Sequence, residues 1–166
     1  MRIEIQKSVS RHVIQVFRDD GVTLEVRAPD RKFILPHDIV HFVVEKTLGL
    51  QRGFWGSVAH GAKLASMTVI EGRQRPHADA RSQALIKSNQ PYLAEAEVYV
   101  GVFQQTLETN TRVYNKVIEK ELNERGREIK SADIEYVWSA LMAARKKWES
   151  LTVGDSLILE WSKHRK

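Results

Sequence analysis

Apolar and polar residues alternate at the start of the chain. Ile3 and Ile5 are separated by single polar residues, and His12-Val13-Ile14-Gln15-Val16-Phe17-Arg18 keeps the same two-residue period. A period of two puts successive side chains on opposite faces of a strand. Asp19-Asp20-Gly21 separates this run from Val22-Thr23-Leu24-Glu25-Val26-Arg27, which is a hairpin signal. A three-residue loop with Gly21 in the left-handed region pairs Ile14 and Val16 with Val26 and Leu24 on one face. Thr23, Glu25 and Arg27 then point the other way. A two-residue loop would scatter the apolar side chains over both faces. His12 shares the buried face, at the edge of the sheet. Pro29 and Asp30 break the sheet.

After Leu35 the period changes. Pro36 suits the first position of a helix, Asp38 favours the dipole in its first turn, and Gly49 reads as the stop after Leu48. Ile39, Val40, Phe42, Val43, Val44 and Leu48 cover most of that helix's circumference, so it is expected to be largely buried. Gly53-Phe54-Trp55-Gly56 leads into a short helix to about Ala65. Met67 to Ile70 fits a helix or a strand equally. Gly72 to Pro76 is a loop, and a helix follows from Ala78 to Ser88. A long helical region starts near Pro91, with Leu93, Ala96, Val100, Phe103, Leu107, Asn110, Tyr114 and Val117 spaced by three and four as an apolar seam. Thr109-Asn110-Thr111 is a point where it divides, and Gly126 ends it. Ser131 is the expected cap of the next helix, which carries Asp133 and Glu135 in its first turn. That helix is expected to bury Ile134, Val137, Trp138, Leu141 and Trp148. Gly154-Asp155 and a strand from Leu157 to Trp161 close the chain, and that strand is expected to join the amino-terminal sheet.

The predicted fold is therefore α+β. A small antiparallel sheet of about four strands, built from the N-terminal hairpin and the C-terminal strand, carries helices on one face. At 166 residues a single domain is expected over 1–166, with a β-hairpin region at 1–28, mostly helix over 35–150 and the closing strand at 156–162.

Composition narrows the function classes. There are no cysteines, which removes disulfides, thiolate nucleophiles and cysteine-ligated zinc. The amino end has no apolar core of a signal peptide. The longest strongly apolar stretch, Ile39 to Val44, is too short to span a bilayer and is interrupted by His41. A cytoplasmic protein with no membrane partner is expected. The net charge of +5 favours acidic partners, nucleic acid among them.

One constellation carries chemistry. His37, Asp38, His41 and Glu45 fall on one side of the first helix, at about 0°, 100°, 40° and 80° around its axis. Two histidines one turn apart can reach a single metal ion, and imidazole suits zinc first, then nickel, copper or iron. Glu45, one turn beyond His41, either orients that ring or supplies an oxygen ligand. It cannot easily share an ion with His37, two turns and about 12 Å away. Asp38 is assigned to a supporting position, and the third ligand comes from elsewhere: His12, His60 and His77 are the candidates. Zinc-protease helices share the i, i+4 histidine pair, but they need glutamate where this chain has Asp38. The His37-Asp38 dipeptide also occurs in metal phosphohydrolases of the HD type, which are all-helical, whereas this chain opens with strands. Neither membership is assigned. The bland alternative is a wet helix edge, or His41 and Glu45 as a half-buried ion pair.

Other features point elsewhere. Gly53-Phe54-Trp55-Gly56 has the G-x-x-G form of a nucleic-acid backbone clamp, but Phe54 and Trp55 suit a core plug better. Arg73 and Arg75 in a loop, and Lys163, Arg165 and Lys166 on the tail, are candidate phosphate contacts. The long amphipathic region could form a homodimer seam or simply serve the chain's own core. Three functions follow from the sequence: a metal-binding protein with hydrolytic chemistry, a nucleic-acid-binding accessory protein, or a non-catalytic protein-interaction domain.

Overall fold

The computed structural model describes residues 1–27, 33–109 and 113–162. The expected sheet breakers Pro29 and Asp30, the helix division at Asn110-Thr111, and the basic tail residues Lys163, Arg165 and Lys166 lie outside the described residues.

The elements run β1 (Arg2–Gln6), β2 (Val13–Phe17), β3 (Thr23–Arg27), α1 (His37–Leu48), α2 (Phe54–Ala59), β4 (Met67–Glu71), α3 (Ala78–Thr109), α4 (Tyr114–Glu124), α5 (Ser131–Ser150) and β5 (Ser156–Glu160). The fold is α+β: five strands form one antiparallel sheet in the order β4-β3-β2-β1-β5. The hairpin register is the expected one. Ile14 pairs with Val26 and Val16 with Leu24, Arg18 and Val22 close the loop at 3.0 Å, and Gly21 has φ +80°. The same parity carries across the sheet, since Ile3 pairs with both Val16 and Leu159, and Ile5 with both Ile14 and Leu157. One face is therefore apolar on all these strands and packs into the buried cluster that includes α1. The carboxyl-terminal strand ties to the amino end as expected, and the Trp161 N–H donates to Met1 O at 2.8 Å.

Several local expectations are corrected. Met67–Glu71 is a strand, which makes five strands rather than four. Leu24 pairs with Val69 and Thr23 with Glu71, so Ile70 is bulged out of the ladder. Pro36 occupies the cap position of α1 with extended ψ 136°, not the first helical position. Its carbonyl accepts from Ile39 and Val40. Gly49 does stop the helix, at φ 69°. The helix α2 already begins at Phe54 and ends at Ala59, six residues short of Ala65. Lys130, not Ser131, sits at the α5 cap position, with no side-chain capping bond. Trp138 is only partly buried, stacked 4.4 Å from Tyr114.

The largest correction concerns Pro91. No break separates Ser88 from the long helix; α3 is continuous over 32 residues with Pro91 inside it. A proline in a helix interior removes one N–H and crowds the carbonyl four residues back. The turn is held from outside by Arg52: its Nε donates to Asn89 Oδ1 at 2.7 Å and its Nη2 to the Ser88 carbonyl at 2.9 Å. The guanidinium also lies 3.9 Å over the Tyr92 ring. Asn89 is buried and donates in turn to Ser57 Oγ at 2.9 Å. Ala96, Val100, Phe103 and Leu107 of the predicted seam are buried in the chain's own core. Among the described residues no helix is long and apolar enough to cross a membrane.

Candidate metal centre

The apolar residues of α1 draw its middle into the core, and the polar residues between them go with it. His41 is 4% exposed and Glu45 is fully buried. A buried carboxylate must be satisfied by donors, and Glu45 is satisfied by α2. Glu45 Oε1 accepts from the Phe54 N–H and Oε2 from the Trp55 N–H, both at 3.0 Å. Oε1 also lies 2.9 Å from His41 Nδ1.

The glycines of Gly53-Phe54-Trp55-Gly56 make this approach possible. A Cβ on Gly53 would stand 2.7 Å from the Glu45 carboxylate, and one on Gly56 would overlap the Gln51 carbonyl. Trp55 is fully buried, and its Nε1 donates to the Asp38 carbonyl at 3.0 Å. The motif is thus a cradle for a buried carboxylate and a core plug.

The other edge of His41 faces α3. His41 Nε2 is 3.5 Å from Glu97 Oε1. The His37 ring stands edge-on to the His41 ring, with centroids 4.7 Å apart at 90°. One donor atom each of His37, His41 and Glu97 lie within 4.8 Å of one another. The Glu97 side chain is 60% exposed, so the group opens to solvent on that side. His37 Nδ1 is buried and makes no hydrogen bond among the described residues.

The electrostatics divide the two histidines. Burial lowers the His37 pKa, and the neighbouring His41 charge lowers it further, against Asp38, Glu97 and Gln104. His37 is therefore neutral at pH 7 and has a lone pair to give. Burial also disfavours a charged His41, but the hydrogen bonds to Glu45 and Glu97 outweigh it and raise the pKa to about 9. The His41 hydrogen bond lowers Glu97, which stays ionised despite partial burial. Burial raises Asp38, against the pull of His41 and His37.

The predicted site residues are thus partly assembled. His37 and His41 meet as expected. Glu45 lies on the Nδ1 side of His41 with both oxygens in hydrogen bonds, and Glu97 lies on the Nε2 side. Asp38 is half-buried beside the pair, outside the group of three. His12 is not at a sheet edge, because it precedes β2, an interior strand. Its Nδ1 accepts the Ser8 N–H at 3.1 Å and its ring meets Trp148 edge-on at 4.8 Å. His60 Nδ1 is 2.7 Å from the Gly56 carbonyl, and His77 is an exposed residue at φ 58° ahead of α3. None of these three joins the His37 group. Arg73 and Arg75 are exposed between β4 and α3.

Glu97 was missed because its carboxylate reaches His41 across 56 residues of sequence. One signal existed: it stands four residues after Leu93 and three before Val100, on the flank of the apolar seam.

No protein-family model matches the chain, and comparison with curated proteins and with solved structures finds no match either.

Proposed function

We propose that this chain is a metal-binding protein whose centre takes one divalent transition ion, zinc foremost, on His37, His41 and Glu97. The observation that carries this reading is the convergence of three donor atoms within 4.8 Å from two helices. Two imidazoles and one carboxylate suit zinc or ferrous iron. The supporting group is of the kind metal sites use. Glu45 accepts from Nδ1 of His41, which directs Nε2 toward the shared space. His37 Nδ1 is buried and has no hydrogen-bond partner among the described residues, so it is a ring nitrogen that an ion could satisfy.

Three protein ligands leave coordination positions for water or substrate, as in catalytic rather than closed structural zinc sites. Metal-assisted hydrolysis is the reaction class that follows, because such an ion brings the pKa of a bound water to about 7. In that role His37, His41 and Glu97 hold the ion, Glu45 fixes His41, and Asp38 supplies a partly buried carboxyl beside the pair.

Calorimetric titration of tag-free protein with zinc chloride tests the reading. One equivalent should bind, and His37→Ala or Glu97→Ala should each weaken binding by roughly tenfold or more. Wild-type protein that takes up no zinc, or variants that bind as wild type does, would reject it.

A further inference from the structure

A second concave site lies at the other end of α3. A cleft of about 380 Å³ is bounded by the β2–β3 hairpin, the end of α2, the β4–α3 loop and the first turns of α3. Arg81, in this cleft, and Glu97, in the metal group, are separated by 16 helical residues, or about 24 Å of rise. The cleft is therefore separate from the metal group.

Its charge is one-sided once internal pairs are removed. Arg18 is paired with Asp20, and Lys63 with Asp79 at 2.7 Å. Arg73, Arg75 and Arg81 also line the cleft and have no carboxylate partner among the described residues. Arg81 donates to the Pro76 carbonyl, which steadies it across the loop it faces. Three arginines lining one concavity supply the charge for an anion site, and the planar forks of guanidinium groups suit phosphate oxygens.

The loop that bears two of these arginines is held in place. Gly72 has φ +92°, and a Cβ there would overlap the Gly21 carbonyl at the hairpin tip. The β4–α3 loop thus rests directly on the hairpin, beside the bulge that leaves Ile70 out of the ladder. Val69 and Leu85, both partly exposed, supply apolar surface within the same cleft.

We propose that this cleft binds a small phosphorylated molecule, its phosphate on Arg73, Arg75 and Arg81 and its apolar or aromatic body on Val69 and Leu85. The volume falls in the range of small-molecule pockets. A continuous nucleic-acid backbone fits less well, because Asp20 and Asp79 stand on two of the walls. A single phosphate head can avoid both.

The test uses the full chain at low salt with a chelator present, so that the metal centre plays no part. ADP should bind by calorimetry, and inorganic pyrophosphate should compete with it. The Arg73→Gln/Arg75→Gln variant should lose roughly tenfold or more in affinity with an unchanged circular dichroism spectrum. His37→Ala should bind ADP as wild type does. Absence of binding by both ADP and pyrophosphate at millimolar concentration overturns the proposal, as does equal binding by the double glutamine variant. A single-stranded oligonucleotide that binds while ADP fails to compete also overturns it, in favour of a nucleic-acid surface.

Discussion

His41 Nδ1 lies 2.9 Å from Glu45 Oε1, one turn along α1, and both side chains are buried. The same carboxylate receives the first two N–H groups of α2, so a single side chain joins the ring orientation of His41 to the placement of Trp55. Removing it leaves the His41 imidazolium with Glu97 on its open side alone and strips the Phe54 and Trp55 N–H groups of their acceptor. Glu45→Ala is therefore expected to destabilise the fold by about 3 kcal/mol or more. Urea denaturation measures this, and a loss comparable to that of an exposed glutamate would contradict it.

The glycine ahead of α2 is a steric consequence of the same contact. A methyl group on Gly53 would stand 2.7 Å from the Glu45 carboxylate and 3.1 Å from Ala96 Cβ. Gly53→Ala should cost about 1–3 kcal/mol through displacement of α2. Gly61, with open space around its Cβ position, is unsuitable as a control because of its φ of +110°; Gly101, with no close neighbour and ordinary φ, serves instead. Gly101→Ala should be neutral or stabilising, since it replaces glycine inside α3.

The pH dependence of metal-free stability has a defined sign. His41 is raised from 6.5 to about 9, so its charge contributes fully below pH 6.5, and that contribution is lost as pH rises through about 9. His37 is lowered from 6.5, so its contribution is present above pH 6.5 and falls away in acid. Glu97 is also lowered, and its contribution is lost as pH falls below the ordinary carboxylate range. The stability advantage of wild type over His41→Asn should shrink steadily between pH 6.5 and 9. Denaturation midpoints for the two proteins across that window decide the matter; a constant difference would mean that His41 is not charged.

Arg52 and Pro91 form a testable pair. The guanidinium bonds Ser88 and Asn89 and stacks on Tyr92, on either side of the proline. Pro91→Ala should stabilise α3 by up to about 3 kcal/mol. Arg52→Ala should destabilise wild type more than it destabilises the Pro91→Ala background. A double-mutant cycle reads the coupling directly, and strict additivity would remove Arg52 from this role.

Short-range pattern carried most of the sheet. Ile14, Val16, Leu24 and Val26 could be paired from their spacing around Gly21 because one register alone keeps them on a common face. The same logic left Met67 to Ile70 undecided, since four apolar-rich residues satisfy either period, and only pairing with β3 selects a strand. At Pro91 the local rule fails where Arg52, 39 residues away and invisible to any window, bonds the same turn. The site divided in the same manner. His37, His41 and Glu45 were legible because helical geometry fixes neighbours one turn apart, and the burial of His41 and Glu45 was not, because it depends on α2. Glu97 depends on how α3 crosses α1, a tertiary relationship with no local signature beyond its place beside the seam.

Cobalt binding examines the proposed metal centre most directly, because cobalt reports its own ligands in the visible spectrum. Titration of tag-free protein with cobalt chloride at pH 8 should produce d–d bands of nitrogen- and oxygen-ligated ion that saturate at about one equivalent and disappear in Glu97→Ala and His37→Ala. A spectrum that stays that of the hydrated ion throughout would show that the two imidazoles and the carboxylate do no more than pack and pair with each other.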